Sequence, residues 1–500
     1  MAPAVTAKPK TDAMRRLQTC LLILIAAAAV RFWCMPLESS LWLDETGTYW
    51  TVKDGLGTAM ARVFDAQTTS SPIHIALEWA FLKLPGPIEV RLRMVSVIAI
   101  LLSILLLYRL GRRLLGPEAA LISISVFTSI GSVIFAGTDA RPYALWLLAA
   151  IASTLALVEW METGGRVAMS AFVLLASLSI YIHYLAFLMF FVYGAYALVR
   201  IGQWSPVRPK ELVWAAVVIA VAALPVLPVL LRLHSESRLH YYLAKAPHVF
   251  DLEVALAPPN LIAGILGGLL VARLLFSQIE FEAPAAPRSL WVLLVAWSTA
   301  PVVVLFGISL ISDAKLFHPR YLICAAPGTA LLAALALRCI RPAAARIAMA
   351  ASVLVAALLT YGSVRHLDIR HQAGEDWKDA AQTVALYADA ATPVLVQSGF
   401  PESKWMNWLA AGARQDQMFA PLSVYPLAGT VIPLPMTTDS VSRGYLRSVI
   451  SQKLAGSQRF LLVTYGVGDR FWLDGRLDGV FSSRPVGSAE TPLVYLYERR

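Results

Sequence analysis

Asp44 and Glu45 are adjacent carboxylates in the stretch "SLWLDETGTYW", Ser40 to Trp50, directly after the first apolar run of the chain. A third carboxylate, Asp139, stands in "GTDARPYAL", Gly137 to Leu145. Cations occupy other polar stretches: Arg141, Arg238, Lys245, Lys315 and Arg320. His74, His183, His240 and His318 add groups that can switch between donor and acceptor near neutral pH. A carboxylate can take the proton of an attacking alcohol or hold a metal ion. Arg and Lys grip phosphate through charge-assisted hydrogen bonds. One site holding both could activate an acceptor and stabilise a departing phosphate.

These residues sit in a very apolar chain. Of 500 residues, 58% are hydrophobic and 15% charged, with mean hydropathy +0.64. Soluble proteins have about 45–50% apolar and about a quarter charged residues. The composition therefore predicts a polytopic α-helical membrane protein. Helices are expected near 17–35, 90–114, 118–136, 142–160, 167–181, 184–200, 211–231, 259–276, 289–311, 321–338 and 344–362, about eleven transmembrane helices. The first follows a tail with Lys8, Lys10, Arg15 and Arg16, and its flank at Arg31–Cys34 lacks a small-residue cleavage pattern, so it reads as uncleaved. Cys20, Cys34, Cys324 and Cys339 lie in or beside apolar runs without a Cys-x-x-Cys pair, which argues against a disulfide framework or a zinc ribbon. The formal charge of +10 marks cytoplasmic loops rather than nucleic-acid binding.

With the N-terminus cytoplasmic, the inner loops carry Arg109, Arg112 and Arg113, then Arg166, then Arg200, Arg208 and Lys210, then Arg273 and Arg288, then Arg338, Arg341 and Arg346. An odd number of spans puts the C-terminal segment outside. The expected organisation is a membrane domain over 1–362 and a soluble extracytoplasmic α/β domain over 363–500. In the first outer loop, about 36–87, Tyr49, Trp50, Leu56, Met60 and Val63 recur at helical spacing and predict an interfacial helix over 46–66. In the C-terminal segment 377–388 reads as a helix, and 392–397, 459–465 and 491–498 read as strands. On this layout the acid pair, "GTDARPYAL", "YIHYL" (Tyr181–Leu185), 233–250 and "SDAKLFHPRYL" (Ser312–Leu322) all face the outer side. Ionisable groups at membrane depth are costly and point to function.

The order of these motifs resembles the protein-mannosyltransferase/ArnT-like glycosyltransferases, family 39-type, of the GT-C fold. The likeness runs through the first-loop acid pair, "DARPYAL", "HYLAF", "HPRYL" and the post-membrane "EDWKDAA", Glu375 to Ala381. It implies an inverting glycosyltransferase of the bacterial cytoplasmic (inner) membrane. Such enzymes move a sugar from a polyprenyl-phosphate donor to a lipid, glycan or protein acceptor on the outer face. Asp44 would take or position the acceptor proton, with Glu45 and Asp139 organising the site. Arg141, His74, His183, Tyr184, Arg238, Lys245, Lys315, His318, Arg320 and Tyr321 are the expected substrate-binding set. A lipid-linked sugar is the donor substrate, and any divalent metal would fall to Asp44, Glu45 and Asp139. Relatives that modify lipid A often carry Lys-Pro-Pro late in the first loop. The matching stretch here, "TSSPIHIAL" (Thr69–Leu77), has Ser71 before Pro72 and no lysine, so phosphate contacts are expected from Lys315, Arg320 or Arg238. Two other readings are a transporter or flippase of lipid-linked saccharides and a non-catalytic cell-envelope scaffold. A transporter should place ionisable groups near the midplane and often shows an internal repeat; the sequence has neither.

Overall fold

A chain in hydrocarbon must satisfy its backbone hydrogen bonds internally, and the apolar runs accordingly form helices. The computed structural model describes residues 8–203, 205–235, 246–276, 278–313, 315–361, 374–400, 403, 416–436 and 439–500. Among these, seven helices are long and apolar enough to cross a membrane, or eight if the bent pair Val249–Leu256 and Pro259–Leu275 is one span. Three expected spans are shorter apolar helices: Pro117–Thr128, Arg166–Ile182 and Ile323–Leu337. The expected 118–136 helix breaks after Thr128 and resumes as Gly131–Ala136. The chain also breaks at "YIHYL", where His183 is extended at φ −154° between Ile182 and a 3-10 turn at Tyr184–Phe187.

The loop after the first apolar helix differs from its expected single helix. Gly55, at φ +98°, splits it into Leu43–Val52 and Leu56–Phe64, and a third helix follows at Pro72–Phe81. A backbone in that left-handed region favours glycine and ends a helix. The apolar face assigned to the membrane surface is turned into the protein. Val52, Ala59 and Val63 pack in one cluster with Trp377, Val384, Val394, Val396 and Val463 from the C-terminal segment.

That segment holds a five-stranded sheet in the order β4-β3-β5-β7-β6, with β3 Pro393–Gln397, β4 Thr430–Leu434, β5 Arg459–Thr464, β6 Phe481–Val486 and β7 Leu493–Arg499. A separate two-residue ladder pairs β1, Glu280–Phe281, with β2, Ile340–Arg341. Strands β4, β3 and β5 run parallel, while β7 is antiparallel to β5 and β6. Side chains alternate across a strand. Val394 and Val396 therefore face the first-loop helices, while Leu395 packs on the opposite face with Leu446, Leu454 and Leu473. The sheet is thus joined to the membrane helices through the loop that carries the acid pair.

Candidate active site

Three structural pieces bring the acids together. The first is the start of the Leu43–Val52 helix. Glu45 lies in its first turn, and its Oε2 accepts the Trp42 backbone N–H at 3.2 Å, a reach-back that caps the helix. The same carboxylate is clamped by Arg93, whose Nε and Nη2 donate to Oε1 and Oε2 at 2.8 and 2.6 Å. Arg93 spends its other donors on the carbonyls of Pro36, Leu37, Ser39 and Ser40. Both side chains are fully buried. Sequence reasoning missed Arg93, although an arginine near the start of an apolar helix was the signal to look for.

The second piece is the Gly137–Arg141 segment. Gly137 lies against Trp33 so closely that a Cβ would fall 2.3 Å from the indole, and the Trp33 Nε1 donates to the Ile134 carbonyl at 3.1 Å. The backbone beyond is pinned from three sides. Ser96 Oγ donates to the Asp139 carbonyl at 2.6 Å, Thr48 Oγ1 to the Ala140 carbonyl at 3.0 Å, and Ala140 N–H to Glu45 Oε1 at 2.9 Å. Asp139 Oδ1 accepts the Trp42 indole N–H at 3.0 Å, and its Oδ2 has no partner. Burial, reinforced by the Glu45 charge, holds the Asp139 pKa well above the usual carboxylate range.

The third piece is "HPRYL". Arg320 Nη1 donates to Asp44 Oδ2 at 2.6 Å. Asp44 is 23% exposed at its side chain, whereas Glu45 is at 0%, so of the adjacent pair only Asp44 can meet a substrate. His318 Nδ1 accepts the Arg320 backbone N–H at 3.4 Å. Burial and the Arg320 charge pull His318 down to about 4. His183 is pulled down to about 3 by burial, Arg141 and Arg320, and its ring stacks on Trp146 at 4.3 Å. Both histidines are neutral at pH 7, which corrects the expectation of groups switching near neutrality.

The remaining expected binders divide. The Tyr321 ring lies 6.3 Å from His183 and 5.9 Å from His318, at the site. Tyr184 Oη donates to the Ser70 carbonyl at 3.2 Å. Lys315 Nζ donates to the carbonyls of Ser309 and Ser312, both at 2.9 Å, and so caps the end of the Arg288–Ile311 helix. Arg238, His240 and Lys245 lie outside the described residues. Arg141 makes no ion pair among the described residues, and its Nε is buried without a partner.

Fourteen buried side-chain atoms among the described residues lack a hydrogen-bond partner. Eight belong to this region: Ser70 Oγ, both ring nitrogens of His74, both carboxyl oxygens of Glu78, Asp139 Oδ2, Arg141 Nε and Arg320 Nε. Each such atom costs about 1–3 kcal/mol. Their concentration around Asp139 and Arg141 is what a polar binding site would produce. Among the described residues no group of three or more His, Cys, Asp or Glu side chains is placed to hold a metal ion. The Glu45 oxygens are taken by Arg93, Trp42 and Ala140. A hollow of 870 Å³ lined by Glu118, Arg338, Arg341 and Arg346 lies elsewhere. It adjoins Leu115, at the far end of the helix that carries Arg93, about 33 Å away at 1.5 Å per residue.

The C-terminal segment reaches the acid pair directly. Glu375 Oε2 accepts the Leu43 backbone N–H at 2.9 Å and the Tyr465 hydroxyl at 2.8 Å. Burial pushes Glu375 up to about 7 against the opposing pull of these two bonds. Lys378 N–H donates to Ser40 Oγ at 3.1 Å, and Tyr425 Oη accepts Leu41 N–H at 2.9 Å while donating to Glu89 at 3.0 Å. "EDWKDAA" therefore contributes the clasp that orients the acid-bearing helix, a role its sequence alone did not reveal.

Residues 69–231 match the family model of dolichyl-phosphate-mannose-protein mannosyltransferase. No curated protein matches the chain. The crystal structure of ArnT from Cupriavidus metallidurans in the apo state is similar at TM-score 0.57 and 14% identity, covering 96% of this chain and 98% of that one. The structure of the same ArnT bound to undecaprenyl phosphate matches at TM-score 0.57 and 15% identity with the same coverage. The chain thus has the fold of these ArnT structures, and over residues 69–231 it is similar to dolichyl-phosphate-mannose-protein mannosyltransferase.

Proposed function

We propose that this protein is an inverting glycosyltransferase that moves a sugar from a polyprenyl-phosphate donor to a lipid, glycan or protein acceptor. The observation that carries the reading is the Asp44–Arg320 pair, partly open to solvent and flanked by Asp139 and Arg141, each with a buried polar atom that lacks a partner. The undecaprenyl phosphate bound to the similar ArnT supports a lipid-linked donor.

In this reaction Asp44 accepts the proton of the acceptor hydroxyl as its oxygen attacks the anomeric carbon. The carbon–oxygen bond to phosphate breaks on the opposite face, and the polyprenyl phosphate leaves as the anion. Arg320 and Arg141 face that developing charge. Arg320 keeps a buried Nε free for it, and a guanidinium matches phosphate with a rigid fork. Glu45, with every oxygen engaged, positions rather than reacts, as does Asp139 through Trp42. A divalent metal has no three-residue cradle among the described residues, so no step is routed through one.

The arginine-rich inner loops support an N-terminus in the cytoplasm. If the bent pair and the three shorter apolar helices also cross, the count is eleven, an odd number that supports a catalytic loop and sheet outside a bacterial inner membrane. The test is sugar transfer in proteoliposomes with a panel of labelled polyprenyl-phosphate sugars. Release of carrier phosphate with transfer by wild type, and none by Asp44→Asn, is the expected result. Carrier movement across the bilayer without release would instead identify a flippase.

A further inference from the structure

His74 and Glu78 lie one turn apart on the Pro72–Phe81 helix, and both are 0% exposed. Their facing atoms approach to 3.0 Å, His74 Nε2 to Glu78 Oε1, yet neither has hydrogen-bond alignment with the other or with any other group. Four polar atoms are therefore bare in the interior. Ser70, just before the helix, adds a fifth in its Oγ. The helix is seated at the candidate site. Ile75 shares a packed cluster with Ala140 and Leu92, Arg141 and His183 act electrostatically on His74, and Glu45, Asp139 and Arg141 act on Glu78. The glycosyl-transfer steps above use neither residue.

We infer that His74 and Glu78 form a subsite that reads the hydroxyl groups of the donor's sugar. This rests on the glycosyltransferase reading. The donor brings a sugar whatever the acceptor is, so a hydroxyl-bearing ligand is always at hand. A hydroxyl both donates and accepts, and an imidazole beside a carboxyl offers both functions. Burial, with Arg141 and His183, pulls His74 well below its ordinary value, and burial, with Glu45 and Asp139, pushes Glu78 well above its own.

The test uses the full chain in lipid nanodiscs with a polyprenyl-phosphate hexose and its monodeoxy analogues. Wild type should lose about ten- to a hundredfold in kcat/KM with one deoxy donor, the size expected when a buried polar group loses its partner. Glu78→Leu should show a similar loss with the complete sugar and no further loss with that deoxy donor, while Glu78→Gln should keep the wild-type ranking of donors. If Glu78→Leu does not fold, His74→Phe, which keeps the ring shape, is read in the same way. Equal losses from each deoxy donor in wild type and variant would overturn this inference alone. Failure of wild type to transfer any sugar would overturn the parent reading and this one with it.

Discussion

Asp44 and Arg320 lie 276 positions apart in sequence and meet at 2.6 Å. The pair joins the first-loop helix to the turn before the Ile323–Leu337 helix, so the acid and its cation are set by separate elements. Asp44→Asn should lower transfer by about 10²–10⁴-fold, the usual contribution of a general base. Folding should survive, since Asp44 is partly exposed. Arg320→Lys keeps a positive charge but loses the fork, and should raise the donor KM more than it lowers kcat. Labelled-sugar transfer at several donor concentrations separates the two effects. An Asn variant as fast as wild type would move the proton acceptor elsewhere, with Asp139 next in line.

Glu45 and Arg93 should fail differently. Each is buried, and removing one partner strands the other's charge, at about 3–5 kcal/mol. Glu45→Leu and Arg93→Met are each expected to unfold at clearly lower temperature. The double variant should recover much of that loss while remaining inactive, because the carbonyls of Pro36, Leu37, Ser39 and Ser40 and the Ala140 N–H lose their common anchor. A thermal-unfolding double-mutant cycle measures this. Additive losses would mean that the two residues act independently.

The acid pair, "DARPY" and "HPRYL" were legible because they are polar islands in an apolar chain. Most of the helices were legible because hydropathy over about twenty residues has few rivals. Arg93 and Glu78 were not singled out, because one charged residue in an amphipathic-looking helix has no periodicity to announce it. The division of labour between Asp44 and Glu45 was also hidden. Adjacent residues on a helix point about 100° apart, and which one faces inward depends on Arg93, 48 positions away from Glu45. The first loop was misread as one interfacial helix because apolar spacing does not say whether lipid or a sheet covers the face. Two strands, Thr430–Leu434 and Phe481–Val486, escaped notice, since their prolines and serines weaken the strand pattern.

Glu375 gives a pH signature. Its folded pKa is raised from 4.5 to about 7, so between these values the folded state binds more proton than the unfolded one. The stability it contributes is fully present below about pH 4.5 and is lost as pH rises through about 7. Glu375→Gln should flatten this part of the stability profile, measured as melting temperature from pH 4.5 to 8 against wild type. It should also lower transfer, because the amide changes the hydrogen bonds that Glu375 accepts from the Leu43 N–H and the Tyr465 hydroxyl. An unchanged difference between the two proteins across that range would remove Glu375 as its source.

Gly137 tests whether the site depends on the packing beneath it. An added methyl would lie 2.3 Å from the Trp33 indole, which is fully buried and hydrogen-bonded to the Ile134 carbonyl, so the ring cannot swing aside. Overpacking of this kind costs about 1–3 kcal/mol. The displaced backbone runs two residues on into Asp139, whose carbonyl is tied to Ser96 and whose side chain is tied to Trp42. Gly137→Ala should therefore lower both the melting temperature and kcat, without a matching change in donor KM. Adding Trp33→Leu, which opens space for the methyl, should restore kcat more than stability, because the smaller side chain relieves the push but leaves a cavity. Recovery of neither by the double variant would show that the glycine is needed for its backbone and not for the room it leaves.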